Sequence, residues 1–200
     1  MTHPKRRRIG IEPPEVLELF ALIAALSKEV VGFEGTIVRS VGCRYATESD
    51  FFSGSGASKS GGRWNRVGID AVYASLDVIT ATMEAYQNLI AFRLPLSTIK
   101  PRVTAGATVN LGKVFDLTVS INRRRIGFSL RDLIEEDWHG IQSAGEESWT
   151  QAIGRGCYKA GFEGLIVPSA KNSVGKNIVI FPGKLLKTSK LKILASKNLK

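Results

Sequence analysis

Histidine is nearly missing from this 200-residue chain, which has only His3 and His139. Two histidines with so few partners do not make a His-based zinc site. A Ser-His-Asp mechanism could draw only on His139, and nothing around it resembles a nucleophile elbow. Cysteine is equally scarce. Cys43 and Cys157 are too few for a disulfide framework at this size, and free thiols of a cytoplasmic protein are the simpler expectation. No apolar run reaches the ~18 residues of a membrane span. The best candidate, "LFALIAAL" from Leu19 to Leu26, follows the basic cluster Lys5 to Arg8 as a leader core would. Glu12, Pro13, Pro14, Glu15 and Glu18 intervene, so a helix of a soluble protein is expected. Phosphate-loop patterns are incomplete. Lys59 stands where GxGxxG needs its last glycine after Gly54 and Gly56, and Gly175-Lys176 is followed by Asn177, with Ala170 where Walker A needs glycine. Acidic residues are outnumbered, 18 against 28 basic, for a net charge of +10. Such a surplus suggests nucleic acid. The positive charge is concentrated in the Lys5–Arg8 tail, in Arg123–Arg125 and in the lysines from Lys184 onward, a pattern usual for solvated segments.

What the chain does have is apolar residues, 44% of the total, enough for one packed core. Helical spacing of Val16, Phe20, Ile23 and Leu26 behind Pro14 predicts a first helix. "GTIVRSV" (35–41) reads as a strand, "SGSGASKSGG" (53–62) as a Gly/Ser loop, and "AVYA" (71–74) as a short buried strand. A helix capped by Ser75 or Asp77 should run from about Leu76 to Phe92. "FRLPLSTI" (92–99) reads as an edge strand or bulge because of Pro95. Helices near 129–136 and 149–160 and strands "GLIVPS" and "NIVIFP" follow. Strands and helices do not alternate regularly, so the expected class is α+β: one domain, a mixed or antiparallel β core and flanking helices. The expected division is an N-terminal tail and helix (1–33), the domain proper (34–183) and a basic C-terminal segment (184–200).

Five positions carry candidate chemistry. Arg63, in "GGRWN", could fork onto a phosphate behind two permissive glycines, or simply stack on Trp64. Tyr73 is a core tyrosine or a stacking platform. Glu84 is ambiguous: Ile79, Met83, Tyr86 and Ile90 form a stripe, and Glu84 falls about 140° from it, toward solvent. It is functional only if a second side of the helix faces a pocket. Ser169, in "LIVPSA", is a turn serine or a hydroxyl at a strand end, where ligands are met. Ser75 closes the "VYAS" strand.

Taken in order, "GGRWN", "VYAS", Glu84, "LIVPSA" and "NIVIFP" closely resemble the RES domain family over about residues 34–183, with Arg39, Trp138 and Trp149 in agreement. The Arg, Glu and Ser of that name would be Arg63 or Arg39, Glu84 and Ser169. One departure is Lys171, where family members often carry Arg. The resemblance implies a fold similar to ADP-ribosyltransferases and a bacterial toxin acting on NAD+ as substrate, without a metal. It implies cleavage of the nicotinamide–ribose bond by hydrolysis or phosphorolysis, or transfer of ADP-ribose to a protein. Glu84 would face the developing ribose cation, Arg63 would clamp the diphosphate and Tyr73 would stack on nicotinamide or ribose. Ser169 would hold ribose or phosphate, with Arg39, Trp64 and Ser75 completing the binding set. An Xre-like helix-turn-helix antitoxin would mask the site, and a homo-oligomer is a further partner state left open. The rival reading is a non-enzymatic basic binding module, with Arg63, Tyr73 and Glu84 scattered in space.

Overall fold

The computed structural model describes residues 12–29, 31–92 and 101–194, with side chains left out for 87–92. Six strands form one sheet: β1 (Val31–Gly42), β2 (Val72–Ser75), β3 (Arg102–Asp116), β4 (Gly164–Pro168), β5 (Lys176–Ile180) and β6 (Lys190–Ile193). Their order is β1-β2-β5-β4-β3-β6, and β1 also pairs with β3. The sheet therefore closes on itself. The β1–β3 seam is long and antiparallel, from Val31↔Val114 to Gly42↔Arg102. β4 and β6 take successive stretches of the other edge of β3, β4 parallel and β6 antiparallel. The β1–β2 seam has a single registered pair, Val38↔Ser75.

Alternation along the inner strands sorts side chains into two cores. Val72, Ala74, Ile166, Ile178 and Ile180 join Ile37, Val109 and Leu111 in one. Leu165, Val167 and Val179, with Tyr73 against them, join the helical layer in the other. That layer is built by α1 (Pro14–Leu26) and α8 (Trp149–Lys159), which pack on each other, and by α6 (Leu130–Glu135). Pro14 opens α1 as the sequence suggests, and Ser129 and Ser148 cap α6 and α8 in reciprocal capping boxes. α1 and β6, on either side of the 34–183 segment, both contribute side chains to the buried cores. Among the described residues no helix is long and apolar enough to cross a membrane.

Two local expectations are corrected. The Gly/Ser stretch 53–62 is not all loop: Ser55–Ser60 forms α3. Ala57 packs on the helical core and its carbonyl accepts from the Asn65 side chain, so tertiary contact overrides weak propensity. The other concerns α4 (Val78–Phe92), which packs on β1 and β2. The first two residues of its apolar stripe face outward, Ile79 70% and Met83 37% exposed, while Tyr86 is half-buried. Thr80 and Ala81 are buried, and Glu84 and Ala85 half-buried. Satisfied polar groups, not the largest side chains, choose the inner face: Thr80 bonds Asp77 and Asn172. Asp77 caps α4, accepting the Thr80 amide. Three helices were not foreseen, α2 (Glu48–Phe51), α5 (Ser120–Arg125) and α7 (Trp138–Ser143). The expected strand at 92–99 falls, beyond Phe92, outside the described residues.

Candidate active site

The "GGRWN" turn is built to be rigid. Asn65 is fully buried, and its amide donates to the carbonyls of Ala57, Arg66 and Ile69. Its Oδ1 accepts from the Tyr73 hydroxyl at 2.8 Å. That hydroxyl in turn accepts the Trp64 amide at 2.9 Å, and burial raises its pKa above the ordinary tyrosine value. Two glycines allow this closeness. A Cβ on Gly62 would lie 2.6 Å from the Tyr73 oxygen, and one on Gly154 of α8 1.8 Å from the Trp64 carbonyl. Gln151 of α8 donates to the Gly62 carbonyl, and Gln142 of α7 to that of Ser60.

Arg63 does not stack on Trp64. Its Nη1 donates to the carbonyls of Leu133 and Glu136 at 3.0 and 3.1 Å, at the C-terminal end of α6, where a helix favours a cation. The Glu136 carboxylate meanwhile accepts the Trp149 and Thr150 amides of α8. Burial lowers the Arg63 pKa, while the charges of Glu136 and Glu84 oppose the shift. Among the described residues, the remaining N–H groups of Arg63 have no protein acceptor and remain free for a ligand. Trp64 itself is only 3% exposed and belongs to the core.

Glu84 comes from α4 and meets the two far strands. Ser169 Oγ donates to its Oε1 at 2.7 Å and Asn177 Nδ2 donates to the same oxygen at 2.6 Å. Strand alternation explains the meeting. Tyr73 and Ser75 share one face of β2, opposite Val179 and Asn177 of β5, and Asn177 lies beside Val167 of β4.

Two cavities share Tyr73, Glu84 and Asn177 as a common wall. One, of about 360 Å³, is lined by Gly61, Gly62, Arg63, Trp64, Trp138 and Lys171 among others. The other, of about 260 Å³, is lined by Arg39, Ser40, Ser75 and Arg102. Arg39 Nη1 donates to the Phe51 carbonyl, and its guanidinium lies 5.7 Å over the Phe51 ring. Burial, then the charge of Arg102, lowers its pKa to about 10, so it remains a cation near neutral pH. Arg102 is tied to Ser40 by two hydrogen bonds.

Arg63, Tyr73 and Glu84 therefore line one cleft. Ser169 lies behind it with its hydroxyl on Glu84, Trp64 lines it from the core, and Arg39 and Ser75 line the second cavity. Sequence reasoning missed Asn65, Asn177 and Arg102. Asn177 did leave a signal: a lone amide heading the apolar run "NIVIF".

A family model described as "RES domain" matches residues 36–195. The chain belongs to the RES domain family. A 50-residue stretch is 44% identical to the "Prs ADP-ribosylating toxin" of Sphingobium sp. (strain YBL2). That stretch is 25% of this chain and spans 31% of the length of the curated relative. Among solved structures, this RES domain is similar to a chain of the M. tuberculosis MbcT–MbcA toxin–antitoxin complex. The TM-score is 0.67 at 23% identity, over 88% of each chain. That likeness is one of fold.

Proposed function

We propose that this RES domain is the toxin of a toxin–antitoxin pair and consumes NAD+ by cleaving its nicotinamide–ribose bond. The observation that carries the reading is the placement of Glu84. A carboxylate, held by two donors on one oxygen, stands where two arginine-bearing cavities meet. A dinucleotide has two halves joined by a dianionic diphosphate, and its scissile carbon lies to one side of that joint. Two cavities sharing Glu84 suit such a shape. Arg63, with free N–H groups on the cleft side, suits the diphosphate as a planar fork.

The chemistry asks little beyond this. The C1′–N bond breaks with its electron pair going to the cationic nicotinamide ring, which leaves neutral. Positive charge develops on the ribose, as in glycoside cleavage. An ionised Glu84 stabilises that charge and accepts a hydrogen bond from a ribose hydroxyl or from the incoming acceptor. Tyr73 lines both cavities while its hydroxyl keeps the "GGRWN" turn closed.

A second reading keeps the pocket and Glu84 but passes ADP-ribose to a protein. It is favoured by the name of the Sphingobium relative. A non-enzymatic basic module is disfavoured because Arg63, Tyr73 and Glu84 converge. The partner we propose is an Xre-like helix-turn-helix antitoxin covering the cleft.

The test is incubation of the purified protein with NAD+, following nicotinamide and free ADP-ribose with and without phosphate, beside labelled NAD+ and cell lysate. Nicotinamide release with soluble ADP-ribose or its phosphorylated form supports the first reading. Label on protein supports the second. No nicotinamide in any arm refutes both.

A further inference from the structure

We propose that Asn177 is a positioning residue, locked by Ser75, that turns the Glu84 carboxylate so that one oxygen is tied to the protein and the other is presented to the cleft. The inference rests on the NAD+-cleaving role of Glu84 and assigns a function to two side chains that never touch the reacting atoms in it.

The argument is one of donors and acceptors. An ionised carboxylate only accepts, so Asn177 must turn its NH₂ toward Glu84. Its Oδ1 then faces Ser75 Oγ at 2.7 Å, and the serine must donate. Ser169 reaches the same end by another route. Its oxygen accepts the Lys171 and Asn172 amides, both at 3.1 Å, which leaves its single proton for Glu84. The two serine protons and one Asn177 amide proton thus each have one destination, and both donors to the carboxylate end on Oε1. Among the described residues no donor meets Oε2. That oxygen is the one left for substrate.

The backbone supports the same conclusion. Ser75 and Asn177 are cross-strand partners in the antiparallel β2–β5 ladder, and Asn177 pairs with Val167 of β4 on its other side. The amide therefore projects from a strand held on both edges. Its successors Ile178, Val179 and Ile180 are fully buried, which anchors the strand from which the amide reaches the cavity wall. Ser75 is itself 3% exposed, at the wall of the smaller cavity, so its hydroxyl is held at the strand and not on the open surface.

The decisive experiment is steady-state nicotinamide release by wild type, Asn177→Ala, Asn177→Asp, Ser75→Ala and Ser75→Thr, each beside a thermal melt. Asn177→Ala should lower kcat about 10- to 100-fold, the scale of one hydrogen bond to a charged group, with KM for NAD+ nearly unchanged. Asn177→Asp keeps the shape but puts a second carboxylate against Glu84, and should lose at least as much. Ser75→Ala should lose several-fold in kcat, and Ser75→Thr, which keeps the hydroxyl, should restore most of it. Unchanged kcat in both Asn177 variants, a loss confined to KM, or equal behaviour of the two Ser75 variants overturns the proposal while an active wild type leaves the reaction standing. If Asn177→Ala does not fold, Asn177→Asp and the Ser75 pair decide. A wild type that releases no nicotinamide overturns the reaction and this inference together.

Discussion

Replacing Glu84 by Gln separates charge from architecture at this site. The Gln carbonyl can occupy the place of Oε1 and accept from both Ser169 and Asn177, which donate there at 2.7 and 2.6 Å. Its amide then occupies the place of Oε2, neutral and donating, where the mechanism needs a negative acceptor. Preorganised groups facing a developing charge are worth on the order of 10²–10³ in rate, about 3–4 kcal/mol. The loss should fall on kcat, because the proposed site gives the ground-state diphosphate to arginine and not to Glu84. Stability should change little. A neutral acceptor gives up about 1 kcal/mol per hydrogen bond relative to a charged one, and relief from burying a charge offsets part of this. A net change near 1 kcal/mol moves Tm by about 2–4 °C at this chain length. Glu84→Ala is the contrasting control. It strands two donors at about 1–3 kcal/mol each and should lose stability and activity together. The assay is nicotinamide release across NAD+ concentrations beside a melt for each variant. Glu84→Gln with kcat within about threefold of wild type, well below the loss expected for such a group, refutes the electrostatic role and removes Glu84 from the mechanism.

Three further perturbations have clear expectations. Arg63→Lys should raise KM for NAD+ about tenfold or more and lower Tm, since a lysine cannot bridge the Leu133 and Glu136 carbonyls and fork onto a ligand as well; an unchanged KM would shift the diphosphate to Arg39. Tyr73→Phe removes the acceptor of the Trp64 amide and the donor to Asn65, and should cost about 1–3 kcal/mol in urea unfolding; an unchanged midpoint would show that the turn holds without it. Hydrogen bonding from Arg155 holds the Glu12 carboxyl below its ordinary value of 4.5. The stability this pair contributes is present above that value and lost as pH falls through the lower, folded one. Glu12→Gln should therefore melt below wild type at pH 7 and converge with it in acid, whereas a gap independent of pH would show that the pairing contributes no linked stability.

How far sequence reasoning reached depended on whether the deciding contact was local. Pro14, Ser129 and Ser148 announced their helices because caps are satisfied within a few residues. "AVYA", "GLIVPS" and "NIVIFP" announced strands by composition, each within a residue or two of its observed bounds. The order of motifs identified the family. The direction faced by α4 was not legible, because hydrophobic periodicity assumes that the greasiest stripe is buried. Here Ile79 and Met83 face out, while Thr80 and Glu84 turn inward to partners about ninety residues away, Asn172 (|i−j| 92) and Asn177 (|i−j| 93). Likewise "SGSGASKSGG" read as a loop until Ala57 and Asn65 were seen to meet. Arg39 and Arg63 were found as types, but their division between two cavities depends on how the sheet closes.

The span between Glu84 and its partners also has a meaning in time. Ser169 and Asn177 lie 85 and 93 positions after the glutamate to which they donate. At translation rates of roughly 5–20 residues per second, about four to nineteen seconds separate their synthesis. During that interval a nascent chain carries Glu84 and the "GGRWN" turn but lacks the strands that aim the carboxylate. Under the proposed function, chains that stop before Asn177 should leave NAD+ intact in the cell producing them, and the proposed activity arrives late, after most of the polypeptide has left the ribosome.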